Sequence, residues 1–154
     1  MGYRCYVGFS STDKRYFDLM KAWKANQNQE FDFIDCQLDN AINSENEDYI
    51  KRKCRECIKT SSTFIQLIGD DTKHKHKYVR WEAEVALEKN CRIICVNING
   101  SRQKDSLCPP ILNDKGAIFV PFNQAIIQYA IDNFQQKNEG NWYYKDSVYK
   151  ELGL

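Results

Sequence analysis

Net charge, long apolar runs and histidine are what this chain of 154 residues has least of. Lys+Arg 22 against Asp+Glu 21 leaves a formal net charge of +1, so no field of one sign marks the protein for nucleic acid or an anionic membrane. Recognition therefore has to be local. The longest apolar runs are strand-sized, well short of the roughly 20 residues that span a bilayer, and no cationic, apolar leader is evident. Met1-Gly2 opens a myristoylation pattern, but the sixth position is Tyr6 where Ser or Thr is needed. The expected location is cytoplasmic. Phosphate-binding fingerprints are missing too. There is no GxGxxG after the first strand-like segment and no GxxxxGK[ST] anywhere, which argues against a Rossmann dehydrogenase or a P-loop NTPase. A GxSxG elbow is absent, and neither His74 nor His76 is placed to activate a serine or cysteine. Their i, i+2 spacing in a polar segment suits no zinc site, so both read as solvated loop residues. Internal repeats and low-complexity segments are also lacking.

What is present suits one α/β domain: 42% of residues are hydrophobic, enough for a single core at this length. Seven cysteines are an odd number, most of them in apolar segments, as expected of buried free thiols in a reducing compartment. Cys54 and Cys57 match a CxxC half-site. Ile50, Cys54, Cys57 and Ile58 nevertheless recur at helical spacing, and no second CxxC follows, so they read as a helix core face and no metal is expected.

Strand-like and helix-like patterns alternate along the chain. Strands are expected at residues 4–10, 31–36, 62–69, 92–98 and 118–122. Helices follow the first (stripe Tyr16, Phe17, Leu19, Met20, Trp23), the second (47–59, with Ser44-x-x-Glu47 as a capping box), the third (78–89) and the fifth. That last helix has Asn123 as cap and a core face of Ile126, Ile127, Ala130, Ile131 and Phe134. Pro109-Pro110 excludes regular helix or sheet from residues 99–115. Such alternation predicts right-handed βαβ units, a parallel sheet and helices on both faces. Ligands of these sheets lie beyond the carboxyl ends of the strands, here at residues 9–13, 35–46 and 69–77. Residues 1–135 read as the domain, and residues 136–154 as a tail packing on it or meeting another subunit.

One carboxylate stands out. Tyr78-Val79-Arg80-Trp81-Glu82-Ala83-Glu84 opens the third helix. Tyr78 and Glu82, four apart, share a face with Val85, Ala86 and Lys89, so Glu82 is a charge inside a largely apolar stripe, a costly place for it. Glu84 and Glu88 fall on other faces, with Arg80 spaced to pair with Glu84. The plainer alternative is a half-exposed Glu82 favoured by the positive end of the helix dipole.

Phe9-Ser10-Ser11-Thr12-Asp13 after the first strand, the long polar loop after the second, and aromatic-x-x-x-Glu on the third helix together resemble a TIR domain. More narrowly, Tyr49-Ile50-Lys51-Arg52-Lys53 and Val79-Arg80-Trp81-Glu82-Ala83-Glu84 are similar to the TIR-like proteins of the bacterial Thoeris anti-phage system. The resemblance implies a flavodoxin-like three-layer sandwich around a central five-stranded parallel sheet. It also implies an NAD+ nucleosidase and cyclase, with NAD+ as substrate and no resident cofactor, that makes a cyclic ADP-ribose isomer read by a separate effector protein. Glu82 takes the catalytic position. Phe9 and Ser10, with Asp39 and Asn40, would hold ribose or nicotinamide, and Tyr78 and Trp81 would wall the site. Lys73, Lys75 and Lys77 either meet the pyrophosphate or form a solvated loop. The loop at residues 35–46 is long enough for a lid but too polar to close a pocket alone, which suggests self-association on activation. One departure is plain: Tyr78 stands where the family motif begins with Trp, and the Trp is Trp81. Two other readings stay open, a non-catalytic TIR interaction scaffold and a nucleoside transferase with a glutamate nucleophile.

Overall fold

The computed structural model describes residues 3–25, 31–34 and 47–154. Runs of β-branched and aromatic residues form the five expected strands: β1 (Tyr3–Gly8), β2 (Phe31–Ile34), β3 (Thr63–Ile68), β4 (Arg92–Asn97) and β5 (Ala117–Pro121). A sixth, β6 (Asn141–Tyr143), extends the sheet beyond the five expected. All pairings are parallel, in the order β2-β1-β3-β4-β5-β6. The central strands are buried on both faces, so they read as near-continuous apolar runs rather than as alternating ones.

Among the described residues, five helices cover the sheet: α1 (Lys14–Ala25), α2 (Glu47–Ile58), α3 (Tyr78–Glu88), α4 (Gln124–Asn133) and the short α5 (Asp146–Glu151). Phe17 and Met20 of α1 and Ile126 to Ile131 of α4 pack with Cys5, Val7, Ile65, Leu67 and Val96 on one face. Cys54 and Ile58 of α2 and Ala83, Val85 and Ala86 of α3 pack with Tyr6, Phe64, Ile93 and Phe119 on the other. The flavodoxin-like α/β architecture follows. With α1 between β1 and β2 on one face, and α2 and α3 serving the opposite direction on the other, these crossovers share one hand. The β5 to β6 step runs in the same direction as β3 to β4. Its helix α4 lies on α1's face instead, so this crossover has the opposite hand.

Residues 99–116 contain one turn of 3-10 helix, Pro110–Leu112, where no regular helix was expected. A single turn tolerates proline at its start, because that position needs no N–H and already wants the proline φ. Asn123 caps α4, its side chain accepting from Ala125 N at 2.9 Å and Ile126 N at 3.3 Å. Phe134 falls just past the helix end and is still buried. Ser44, the expected cap of α2, lies outside the described residues.

The C-terminal residues join the same core. Tyr144 meets Tyr129 edge-on at 5.1 Å, and Tyr149 of α5 is 1% exposed within the α1/α4 layer. Cys5, Cys54, Cys91, Cys95 and Cys108 are buried free thiols and Cys57 is half-buried, while Cys36 lies outside the described residues. Burial pushes the Cys5 thiol up to about 12 and that of Cys108 to about 11, far from the range of a reactive thiolate. Among the described residues, no helix is long and apolar enough to cross a membrane.

Candidate active site

The apolar face of α3 is wide: Val79, Trp81, Glu82, Ala83, Val85 and Ala86 are all buried. Glu82, the charge in that face, is 6% exposed, so the half-exposed alternative does not hold. Its carboxylate is met from below by the hydroxyl of Tyr6 on β1, which donates to Oε2. Tyr6 is itself fully buried, its ring stacked on Phe64 of the neighbouring strand with centroids 5.8 Å apart. A buried carboxylate is tolerated only where donors replace its lost hydration, and the tyrosine supplies one at a fixed angle. The other two glutamates of α3 behave differently. Glu84 pairs with Arg80 at 3.1 Å and Glu88 with Arg55 at 3.7 Å, both at the surface.

Tyr78 and Trp81 pack edge-on at 5.5 Å and, with Ile50 and Tyr49 of α2, form a small apolar cluster on the α2 side of α3. Lys51 Nζ lies 4.9 Å from the Trp81 ring centre. Phe9 is not brought to Glu82. Strand alternation turns it to the opposite sheet face, where it stacks on Phe17 of α1 at 4.9 Å. Ser10 is buried beside Thr12, with 3.1 Å between the hydroxyls, and Thr12 donates to Asp71 at 3.0 Å, tying the carboxyl ends of β1 and β3 together. Asp39 and Asn40, and the whole loop of residues 35–46, lie outside the described residues. The three lysines point to protein partners: Lys73 to the Ser106 carbonyl at 3.0 Å, Lys75 to Asp71 at 3.7 Å and Lys77 to Glu47 at 3.9 Å.

Sequence reasoning missed two groups at these strand ends. The first is Tyr6, which reads as an ordinary core aromatic. Its only signal is a hydroxyl-bearing ring in a strand buried on both faces, where Phe would do unless the hydroxyl had a partner. We expect Tyr6→Phe to keep the fold and, under the chemistry proposed below, to lower turnover on the order of 10- to 100-fold, the scale of losing orientation at a reacting group. KM should stay near that of the parent. Unchanged turnover in a folded Tyr6→Phe protein would remove Tyr6 from the site.

The second group is Asp13. Its carboxylate is buried against Gly69, where any side chain would collide with it: a Cβ built there comes 2.3 Å from Asp13 Oδ2. Oδ2 accepts no hydrogen bond. Burial raises the Asp13 pKa above the ordinary aspartate value, and Asp71 and Asp70 add to this against Arg15. For Asp71 burial pushes upward as well, but hydrogen bonds from Ser10 and Thr12 and the charge of Lys75 outweigh it and hold the carboxyl low. A raised folded-state pKa means that the charged form of Asp13 destabilises the fold above that pKa. The penalty fades as pH falls towards the ordinary aspartate range. Asp13→Asn should therefore raise the melting temperature at neutral pH, and the gain should shrink on acidification. A gain that is the same at low pH would show that charge is not its origin.

Residues 6–103 match the family described as Thoeris protein ThsB, TIR-like domain. No curated protein matches the chain. The matched stretch is more than half of the sequence and takes in Tyr6, the Ser10–Asp71 strand ends and Glu82. It covers the second half of β1, all of β2, β3 and β4, and the helices α1, α2 and α3. By that match and by its architecture, the chain belongs to the Thoeris ThsB TIR-like family.

Proposed function

We propose that this member is an NAD+ nucleosidase and cyclase, acting as a defence-related signalling enzyme. The observation that carries the proposal is Glu82, a buried carboxylate under α3 that accepts from the Tyr6 hydroxyl. A scaffold module has no use for a charge in that stripe. Nicotinamide leaves from a positively charged pyridinium, so no general acid is needed, unlike the oxygen leaving groups for which glycosidases carry two carboxyl groups. As the bond to ribose breaks, positive charge develops on the sugar. A fixed carboxylate stabilises that charge more than it stabilises the substrate. NAD+ is then substrate, with no resident cofactor, and Tyr78 and Trp81 flank the same helix turn as Glu82.

The expected product is a cyclised ADP-ribose, whose signal a separate effector reads. Cyclisation folds the adenosine end of the same molecule against the reacting carbon and excludes water. Self-association on activation would complete that enclosure. The test is incubation with NAD+ followed by chromatography and mass spectrometry, repeated over a wide range of protein concentration. A product lighter than ADP-ribose by one water, with specific activity rising with concentration, is the expected result. Linear ADP-ribose from the earliest time points would replace the cyclase by an NAD-depleting enzyme. No nicotinamide release at any concentration would leave an interaction scaffold. A glycosyl group trapped on Glu82 from a deoxynucleoside would instead identify a nucleoside transferase.

A further inference from the structure

The sheet ends on an open edge. β6 is last in the strand order, with no strand on its outer side among the described residues. Its register sets Trp142 beside Ile118 and Tyr143 beside Phe119. Ile118 belongs to the α1/α4 layer and Phe119 to the α2/α3 layer, so the two aromatics carry both layers of the core out to the rim. There they stop in solvent, Trp142 45% and Tyr143 53% exposed. Edge strands are normally blunted by charge, by proline or by a covering element, and Asn141–Tyr143 carries neither charge nor proline. We propose that β6 pairs antiparallel with β6 of a second copy of this chain, about a two-fold axis at Trp142. The pairing gives a place to the self-association proposed above and rests on it.

The flanking charges select the occupant. Glu139 and Lys145 stand three residues before and three residues after Trp142. In the two-fold register each Glu139 faces Lys145 of the second copy, so the pair forms twice, and opposite charges across a strand pair stabilise it. Both side chains are exposed, and neither has an ion-pair partner among the described residues. Asn138 faces Asp146 in the same register, and no like charges meet. A two-fold register centred on Asn141 would oppose Lys137 to Lys145, and one centred on Tyr143 would leave Glu139 opposite Ser147. The charges thus favour the register at Trp142 over its neighbours.

The backbone is disposed for this contact. Lys145 continues extended from the strand, with φ −70 and ψ 156. At the other end the Trp142 indole donates to the Glu139 carbonyl at 2.8 Å, which keeps Glu139 beside the strand. A patch with its acid and its base equally spaced about one aromatic is complementary to itself, the property that a two-fold interface requires. Tryptophan and tyrosine at the centre are the residue types that carry binding energy in interfaces. A strand of 3 residues makes the contact small, so the dimer is reversible and concentration-dependent.

Sedimentation equilibrium of the full chain over a wide concentration range tests the pairing. The parent should show a monomer–dimer equilibrium. Glu139→Lys and Lys145→Glu should each weaken it by about fivefold or more, because two attractive contacts become two repulsive ones. An equimolar mixture of these two variants should dimerise more tightly than either alone, since a mixed pair restores both contacts. The double variant should return to the parent affinity. A merely structural role for either residue would give no such rescue, and unchanged melting temperatures check that the variants fold. Glu82→Gln should dimerise like the parent while losing nicotinamide release, which separates this surface from the proposed chemistry. A parent dimer that neither charge reversal weakens, or a weakening that the mixture does not rescue, would overturn the β6 pairing and leave self-association standing. A parent that stays monomeric at every concentration would overturn both.

Discussion

Glu82→Gln is expected to lower nicotinamide release from NAD+ by at least about 10³-fold, the scale of removing one preorganised electrostatic group from a water-excluded site, with little change in the melting temperature. The amide has the shape of the carboxylate, and its oxygen can still accept from Tyr6, so the packing beneath α3 is kept. Under the proposed chemistry, what disappears is the negative charge that opposes the positive charge developing on ribose. That term exists only in the transition state, so turnover falls while ground-state affinity for NAD+ is largely retained. Glu84→Gln is the matched control, one turn face away and paired with Arg80 in solvent. It should cost less than about twofold, since an exposed pair of this kind contributes little. Activity within tenfold of the parent in a folded Glu82→Gln protein would end the assignment of Glu82 as the catalytic residue.

The parts of the fold legible in the sequence are those set by local period. Strands β1 to β5 are dense in β-branched and aromatic residues, and the buried face of α3 follows from helical spacing, Glu82 included. The contact of Glu82 with Tyr6 was not legible, because nothing local links residues 76 positions apart. It needs the crossover that lays α3 over β1. The position of Phe9 was in principle readable. Three residues along an extended segment from Tyr6, it must face the other way, and there it finds Phe17. The placement of Asp13 against Gly69 depends on two loops meeting, which periodicity does not describe. Strand β6 was hidden for a different reason. It is only 3 residues long, its Trp142 and Tyr143 are exposed rather than alternately buried, and it is reached by a crossover of the hand that topology rules disfavour.

The segment leading into that sixth strand packs against the backbone of Gly116, and Gly116→Ala is expected to be the most damaging conservative change away from the site. Gly116 has φ +79, and a Cβ placed on it would come 2.0 Å from the Lys137 carbonyl oxygen and 2.5 Å from its carbon. Those neighbours are main chain, so they cannot rotate aside. Relief requires the segment before β6 to move, which breaks the bonds from Gly116 N to Gly140 O and from Lys137 N to Gly116 O. The side-chain bridge of Gln136 to the Lys115 and Lys137 carbonyls would go with them. Gly100 provides the internal reference. Its φ is +90, but nothing lies within 4 Å of its missing Cβ, so Gly100→Ala should cost only the left-handed conformation, about 1–2 kcal/mol. Gly116→Ala adds the collision, an overpacking penalty on the order of 1–3 kcal/mol more. At this size each kcal/mol lowers the melting temperature by roughly 2–4 °C, so the two variants should separate clearly in a thermal melt. Faster hydrogen exchange at Asn141 to Tyr143 should appear in Gly116→Ala alone. Equal melting temperatures and equal exchange in the two variants would mean that the approach of Lys137 to Gly116 does not hold β6 in place.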